Sequence, residues 1–288
     1  MRRFFKTPLP RFLLLGLVAA VTGCAHDQSV RHDGGIAPGS VYVAMGSSFA
    51  AGPGIAPSAN SKPAMCARSA NNYAQQLAKR RGLELVDVSC SGATTGGVLD
   101  GWAGIRPQIE ALTAEARLVT ITIGGNDVGY IGRLMGASCR QVNAASGVRC
   151  PPTLAPKEER WTALDAALRH IVAEVRQRAP KAKLIWVDYP VVLPGKGLCA
   201  ATPVSPQEAD MARAMAKRLA ALTARVARDT GSSILAASRL TVGHDVCAPD
   251  PWMDGYPVQG GKPVGAPYHP TLPGMTAIAA ALDRMLDR

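Results

Sequence analysis

Val41-Tyr42-Val43-Ala44-Met45-Gly46-Ser47-Ser48-Phe49 is the stretch on which the fold turns. Val41, Val43 and Met45 alternate with Tyr42 and Ala44, a period of two that predicts a short strand, and Gly46 breaks it into a turn. Downstream, the Gly-, Pro-, Ala- and Ser-rich residues 49–70 read as loop, and then two periods take turns. Asn72–Arg81 reads as helix, Leu83–Ser89 as a β-run, Ile105–Ala114 as helix and Leu118–Ile123 as a buried β-branched strand. After a cysteine-bearing excursion come a helix over 157–178, the strand Lys183–Val187, the helix Pro206–Thr230, the strand Ser233–Ala236 and a last helix over Pro273–Leu286. Strands alternating with crossover helices imply an α/β domain of three layers, α/β/α, around a mostly parallel sheet covered on both faces.

Upstream, the chain has a different character. MRRFFKTPLPR is basic and free of acids, and the apolar run from Phe12 to Val21 follows it, so residues 1–23 read as a signal peptide too short to span a bilayer as a permanent helix. The run closes on Val21-Thr22-Gly23-Cys24, which resembles a bacterial lipobox and makes Cys24 the expected lipidated N-terminus, anchoring an exported protein to the membrane. An ordinary signal peptide cut nearby would instead release it, and Arg2-Arg3 partly resembles a twin-arginine signal. Residues 24–39 are polar and aperiodic, a tether, which leaves 40–288 as one catalytic domain. The 288 residues, 47% hydrophobic and without internal repeats, suffice for one core. Removing residues 1–23 takes away four cations and no acid, lowering the formal charge from +11 to +7. The remaining Lys and Arg are scattered, so nothing points to nucleic acid.

With Cys24 set aside, Cys66, Cys90, Cys139, Cys150, Cys199 and Cys247 remain. An even number in an exported chain points to disulfides. No CxxC occurs and no histidine sits at a familiar zinc spacing, so metal binding is not expected. Six cysteines allow fifteen pairings; the sequential set, Cys66–Cys90, Cys139–Cys150 and Cys199–Cys247, is the one anticipated.

In open α/β sheets ligands sit beyond the carboxyl ends of the strands. Gly46-Ser47-Ser48-Phe49, Ser89-Cys90-Ser91-Gly92 and Gly124-Gly125-Asn126-Asp127 come after the first three predicted strands. Acyl transfer needs a nucleophile, a base and donors aimed at the developing oxyanion, and these loops with a distant histidine can supply all three. Together with His269-Pro270 they resemble, in order, the four blocks of the SGNH (GDSL-type) hydrolase family over about residues 40–288. The six cysteines and Gly243-His244-Asp245-Val246-Cys247 are similar in kind to its secreted actinobacterial-type esterases and lipases. The resemblance implies a flavodoxin-like fold and a cofactor-free serine esterase or lipase acting on small-molecule or lipid esters as a monomer. It makes Ser48 the nucleophile and His269 the general base. The backbone N–H groups of Ser48 and Gly92 and the amide of Asn126 would form the oxyanion hole.

Two positions depart from the family pattern. Ser47 stands where an aspartate usually precedes the nucleophile. Ala266 stands three residues before His269, where many members carry the triad acid, so a carbonyl, that of Ala266, is expected to orient the imidazole; Asp254 is the nearest upstream acid. The rival histidines are His26 and His32 in the tether, His170 in mid-helix and His244 beside Asp245. Asp127 reads as a loop brace, and Trp102, Trp252 and Tyr268 as either acyl-pocket lining or core. A carbohydrate O-deacetylase of the envelope and a non-catalytic binding lipoprotein are the alternative functions.

Overall fold

In the computed structural model the described residues are Met1, 35–144, 147–152, 155–257 and 265–287. The expected signal peptide, Cys24, His26, His32 and all of the tether up to Gly34 lie outside them. Residues Gly35–Arg288 make up one compact unit.

Five strands, β1 (Val41–Gly46), β2 (Glu84–Asp87), β3 (Ala116–Thr122), β4 (Lys183–Val187) and β5 (Ser233–Leu235), form one sheet in the order β2-β1-β3-β4-β5. Every pairing is parallel. The period of two in β1 explains the layers. Val43 and Met45 point into one core with Leu134 of α4 (Tyr130–Val142), Leu164 and Leu168 of α5 (Glu158–Arg178) and Leu219 of α6 (Pro206–Asp229). Tyr42 and Ala44 point into the other, with Leu77 of α2 (Tyr73–Arg81) and Ile278 and Leu282 of α8 (Leu272–Leu286). Each such buried aliphatic contributes about 1.5–3 kcal/mol of transfer free energy, so both faces of the sheet are secured.

Local chemistry sets the helix starts. The side chains of Asn72, Ser205 and Thr271 accept from the backbone N–H of Gln75, Glu208 and Gly274, and Pro206 and Pro273 occupy first turns where no N–H is required. Three disulfides join Cys66 to Cys90, Cys139 to Cys150 and Cys199 to Cys247.

Several elements differ from the sequence expectation. No helix runs over Ile105–Ala114: Trp102 and Ile105 exchange backbone hydrogen bonds in a tight turn, and only a 3-10 turn, Gln108–Ala111, comes after Pro107. Pro107 disfavours helical backbone at Arg106, which ends any helix begun at Ile105. Short helices α1 (Ser48–Ala51), α3 (Thr95–Leu99) and α7 (Ala237–Leu240) lie in stretches read as loop or left unassigned. The cysteine-bearing excursion holds α4, with Tyr130, Ile131, Leu134 and Ala137 buried at helical spacing.

Candidate active site

The strand order reverses between β1 and β3, because β2 lies on one side of β1 and β3 on the other. Ser48 comes after β1 and Gly124–Asp127 after β3, so both loops border the crevice at this switch point. Gly46 makes the turn possible. Its φ of +127° places it where a Cβ would collide with the Thr122 carbonyl of the neighbouring strand. Backbone bonds then fix the loop: Ser47 N–H donates to Thr122 O at 2.8 Å and Cys90 N–H to Gly46 O at 2.9 Å. Gln108, almost fully buried, grips Gly46 from both sides, accepting its N–H at 2.7 Å and donating to its carbonyl at 3.0 Å.

Ser48, the first residue of α1, lies 2.7 Å through its Oγ from His269 Nε2. His269 Nδ1 lies 2.8 Å from the carbonyl of Pro267. A carbonyl can only accept, so Nδ1 carries the proton and Nε2 keeps its lone pair for the Ser48 hydroxyl. Burial pushes the imidazole pKa down from 6.5 to about 4, against a smaller upward pull from the Pro267 bond, so the ring is neutral at pH 7. Phe49 packs against it, centroid to centroid 4.9 Å.

The carbonyl on Nδ1 is Pro267's, which corrects the expectation for Ala266. Ala266 O is already taken by the backbone N–H of His269 at 3.1 Å, closing a turn in which Tyr268 has φ of +62°. Asp254 is close in the chain path, exchanging backbone bonds with His269 and Tyr268. Its carboxyl lies against Gly265, where a Cβ could not fit, and burial raises its pKa.

The three loops are fastened together. Asn126 Nδ2 donates to Ala93 O at 2.9 Å, tying the third loop to the second, and this leaves one amide hydrogen for another acceptor. Gly92 has φ of +89° and faces the Trp102 ring. Asp127 accepts from the backbone N–H and hydroxyl of Thr95 at the start of α3, bracing the Asn126 loop; burial raises its pKa. Tyr189, just past β4, was not singled out from sequence, although its place at a strand's carboxyl end is the signal that could have found it. Its hydroxyl accepts from Gly125 N–H at 2.8 Å, lies 3.3 Å from Ser47 Oγ, and its ring packs on Phe49. Gln108 and Pro267 carried no such signal.

The remaining candidates fall elsewhere. His244 stacks on Trp252 at 3.6 Å and bonds Asp250 O, while Asp245 accepts from Cys247 N–H. His170 is exposed beside Glu174. Tyr268 is fully buried and bonds Ser138 of α4 at 2.6 Å, a core role. The Trp102 ring covers Gly92 and Gly97. Among the described residues no group of three His, Cys, Asp or Glu could hold a metal ion.

A serine hydroxyl on a neutral, buried imidazole at the switch point of a parallel sheet is the arrangement of a nucleophile-based hydrolase. The chain belongs to the GDSL-like Lipase/Acylhydrolase family, whose model matches residues 44–277, and it is a carboxylic ester hydrolase. It is 31% identical to Lipase 2 of Streptomyces coelicolor over 282 residues, 93% of this chain and 90% of that protein. The extracellular lipase of Streptomyces rimosus superposes with a TM-score of 0.62 at 27% identity, over 85% of this chain and 99% of that one. Phospholipase A1 from Streptomyces albidoflavus shares the fold, with a TM-score of 0.67 at 24% identity over the same shares of the two chains.

Proposed function

We propose that the protein hydrolyses acyl esters, lipid esters among them, through an acyl-enzyme on Ser48. The observation that carries this is the 2.7 Å approach of Ser48 Oγ to an imidazole whose far nitrogen is held by a carbonyl. Ser48 Oγ attacks the ester carbonyl and its proton passes to His269 Nε2. The tetrahedral oxyanion takes hydrogen bonds from the backbone N–H groups of Ser48 and Gly92 and from the free amide hydrogen of Asn126. The imidazolium returns its proton to the leaving alkoxide, and a water activated by the same ring then releases the acid. The Pro267 carbonyl holds the tautomer without supplying charge, so the pair works as a Ser-His dyad.

Residues 1–23 direct export, Cys24 is acylated, residues 24–39 form the tether, and 40–288 act as a monomeric catalytic domain at the envelope. Three disulfides fit an oxidising compartment. Lipase activity in the relatives supports lipid esters as substrates.

A series of p-nitrophenyl esters from acetate to long acyl chains, run on the wild type and on Ser48→Ala, tests the reading. Activity on medium or long chains, lost in the variant, supports it. Equal activity in both overturns the nucleophile assignment, and cleavage of acetate alone favours a deacetylase. Release of Cys24→Ser protein from membranes that retain the wild type tests the anchor.

A further inference from the structure

The α4 helix, Tyr130–Val142, begins just beyond Asn126, and its first turn borders a cleft of about 590 Å³. The opposite wall is the start of α5, with Lys157, Glu159 and Arg160. Both helix starts lack a side-chain cap, and the first turn of α4 contains no acid. At α4 the Gly129 and Tyr130 N–H groups already bond Asn126 O and Gly125 O, and Glu158 and Glu159 occupy the first turn of α5, so what the two starts offer an anion is their aligned peptide dipoles. Gly129 and Gly132 leave the α4 wall open, since a Cβ at either would meet nothing within 4 Å.

Arg133 supplies an independent observation. Its side chain lines this cleft and is only 8% exposed. Nη2 pairs with Glu208 at 2.8 Å, while Nε and Nη1 are buried with no hydrogen-bond partner. A buried guanidinium with two unpartnered nitrogens, three N–H groups in all, is unfavourable unless an acceptor arrives. Arg160 is near, with Nη1 donating to Asp127 O at 3.2 Å, and Lys157 adds a further positive charge. Against these three cations stand Glu159 at the cleft and Glu208, which already pairs with Arg133 at 2.8 Å.

We propose that this cleft binds a phosphate-class oxyanion, with Arg133 as its buried donor and Lys157 and Arg160 at its mouth. Gly129 lies three residues from Asn126, a reach of at most about 11 Å along the chain, so a phosphodiester in the cleft can belong to the molecule whose acyl ester lies at Ser48. The inference rests on the ester-hydrolase reading for that last link, whereas anion binding itself does not.

The first measurement is thermal stability of the whole protein titrated with inorganic phosphate against chloride at matched ionic strength. A saturable stabilisation is expected in the wild type, weakened tenfold or more in apparent affinity by Arg133→Gln and by Lys157→Ala/Arg160→Ala. The surface double variant keeps the test open if Arg133→Gln does not fold. The second measurement is kcat/KM on a micellar diacyl phosphodiester lipid divided by that on a diacylglycerol of the same chains. A ratio at least tenfold lower in the double variant identifies a lipid headgroup as the source of the phosphate; saturable phosphate binding with an unchanged ratio identifies free phosphate. Absence of saturable phosphate binding by the wild type overturns the proposal, even with full Ser48-dependent activity on p-nitrophenyl esters.

Discussion

Ser48 and His269 meet at 2.7 Å, yet the loops that carry them are held by different kinds of interaction. The Ser48 loop is a continuation of the sheet: Gly46 stays in register with Thr122, and the next backbone groups bond to the neighbouring strand and to the loop after β2. Among the described residues, the His269 loop makes no backbone hydrogen bond to a strand of the sheet. A bridge between Met253 and Pro270, the Tyr268–Ser138 bond and the capping of α8 by Thr271 hold it instead. The proposed nucleophile is therefore placed by regular structure and the proposed base by a few contacts distant in sequence. Changes on the two sides should differ in kind, with losses of chemistry on the first and of ring orientation on the second.

The largest expected effects lie on the sheet side. Ser48→Ala removes the proposed nucleophile and should lower kcat on a medium-chain p-nitrophenyl ester by on the order of 10⁶ with the fold intact by circular dichroism. Asn126→Ala removes one proposed oxyanion donor and should lower kcat by about 10² to 10³ with little change in KM. A loss for Asn126→Ala confined to KM would mean that the amide serves binding rather than the transition state.

On the base side, acidity is the probe. The ring accepts a proton from Ser48 only when neutral, and burial holds its pKa at about 4. The kcat/KM profile should stay level from neutral pH down to about 5 and fall tenfold per unit once the pH drops below the folded pKa. An acid limb centred near 6.5 would show that the ring is solvated in the working enzyme. Tyr189 tests whether the sheet side is as rigid as its bonds imply. Tyr189→Phe keeps the ring against Phe49 but leaves Gly125 N–H without its acceptor, and should lower kcat about tenfold, some 1.4 kcal/mol. In an Asn126→Ala background the same change should add little, because both act through one loop.

The contrast also explains what could be read from sequence. The parallel sheet was legible because periods of two and of about four residues alternate, and the places of Ser48, Gly92 and Asn126 are set by where strands end. Contacts across the fold were not legible. Gln108 serves Gly46 from 62 positions away, in a stretch that reads as helix until Pro107 is weighed. The choice of Pro267 O over Ala266 O depends on one left-handed residue, Tyr268, whose bond to Ser138 spans 130 positions. No spacing rule contains that information.

Asp254 gives the smallest expected effect and the sharpest test of the base side. In a conventional triad a carboxylate on Nδ1 stabilises the imidazolium, and its conversion to an amide lowers kcat by about 10⁴. Here Nδ1 already has its acceptor in Pro267 O, while the Asp254 side chain rests against Gly265 and joins the His269 loop through its main chain. Asp254→Asn retains that main chain and a side chain of the same shape. It should therefore leave kcat within about threefold of wild type and the pH profile in place. A drop of several orders of magnitude, with thermal stability unchanged, would mean that the carboxylate swings onto Nδ1 when substrate binds. The His269 side would then owe its orientation to charge, and the dyad would be a triad assembled on demand.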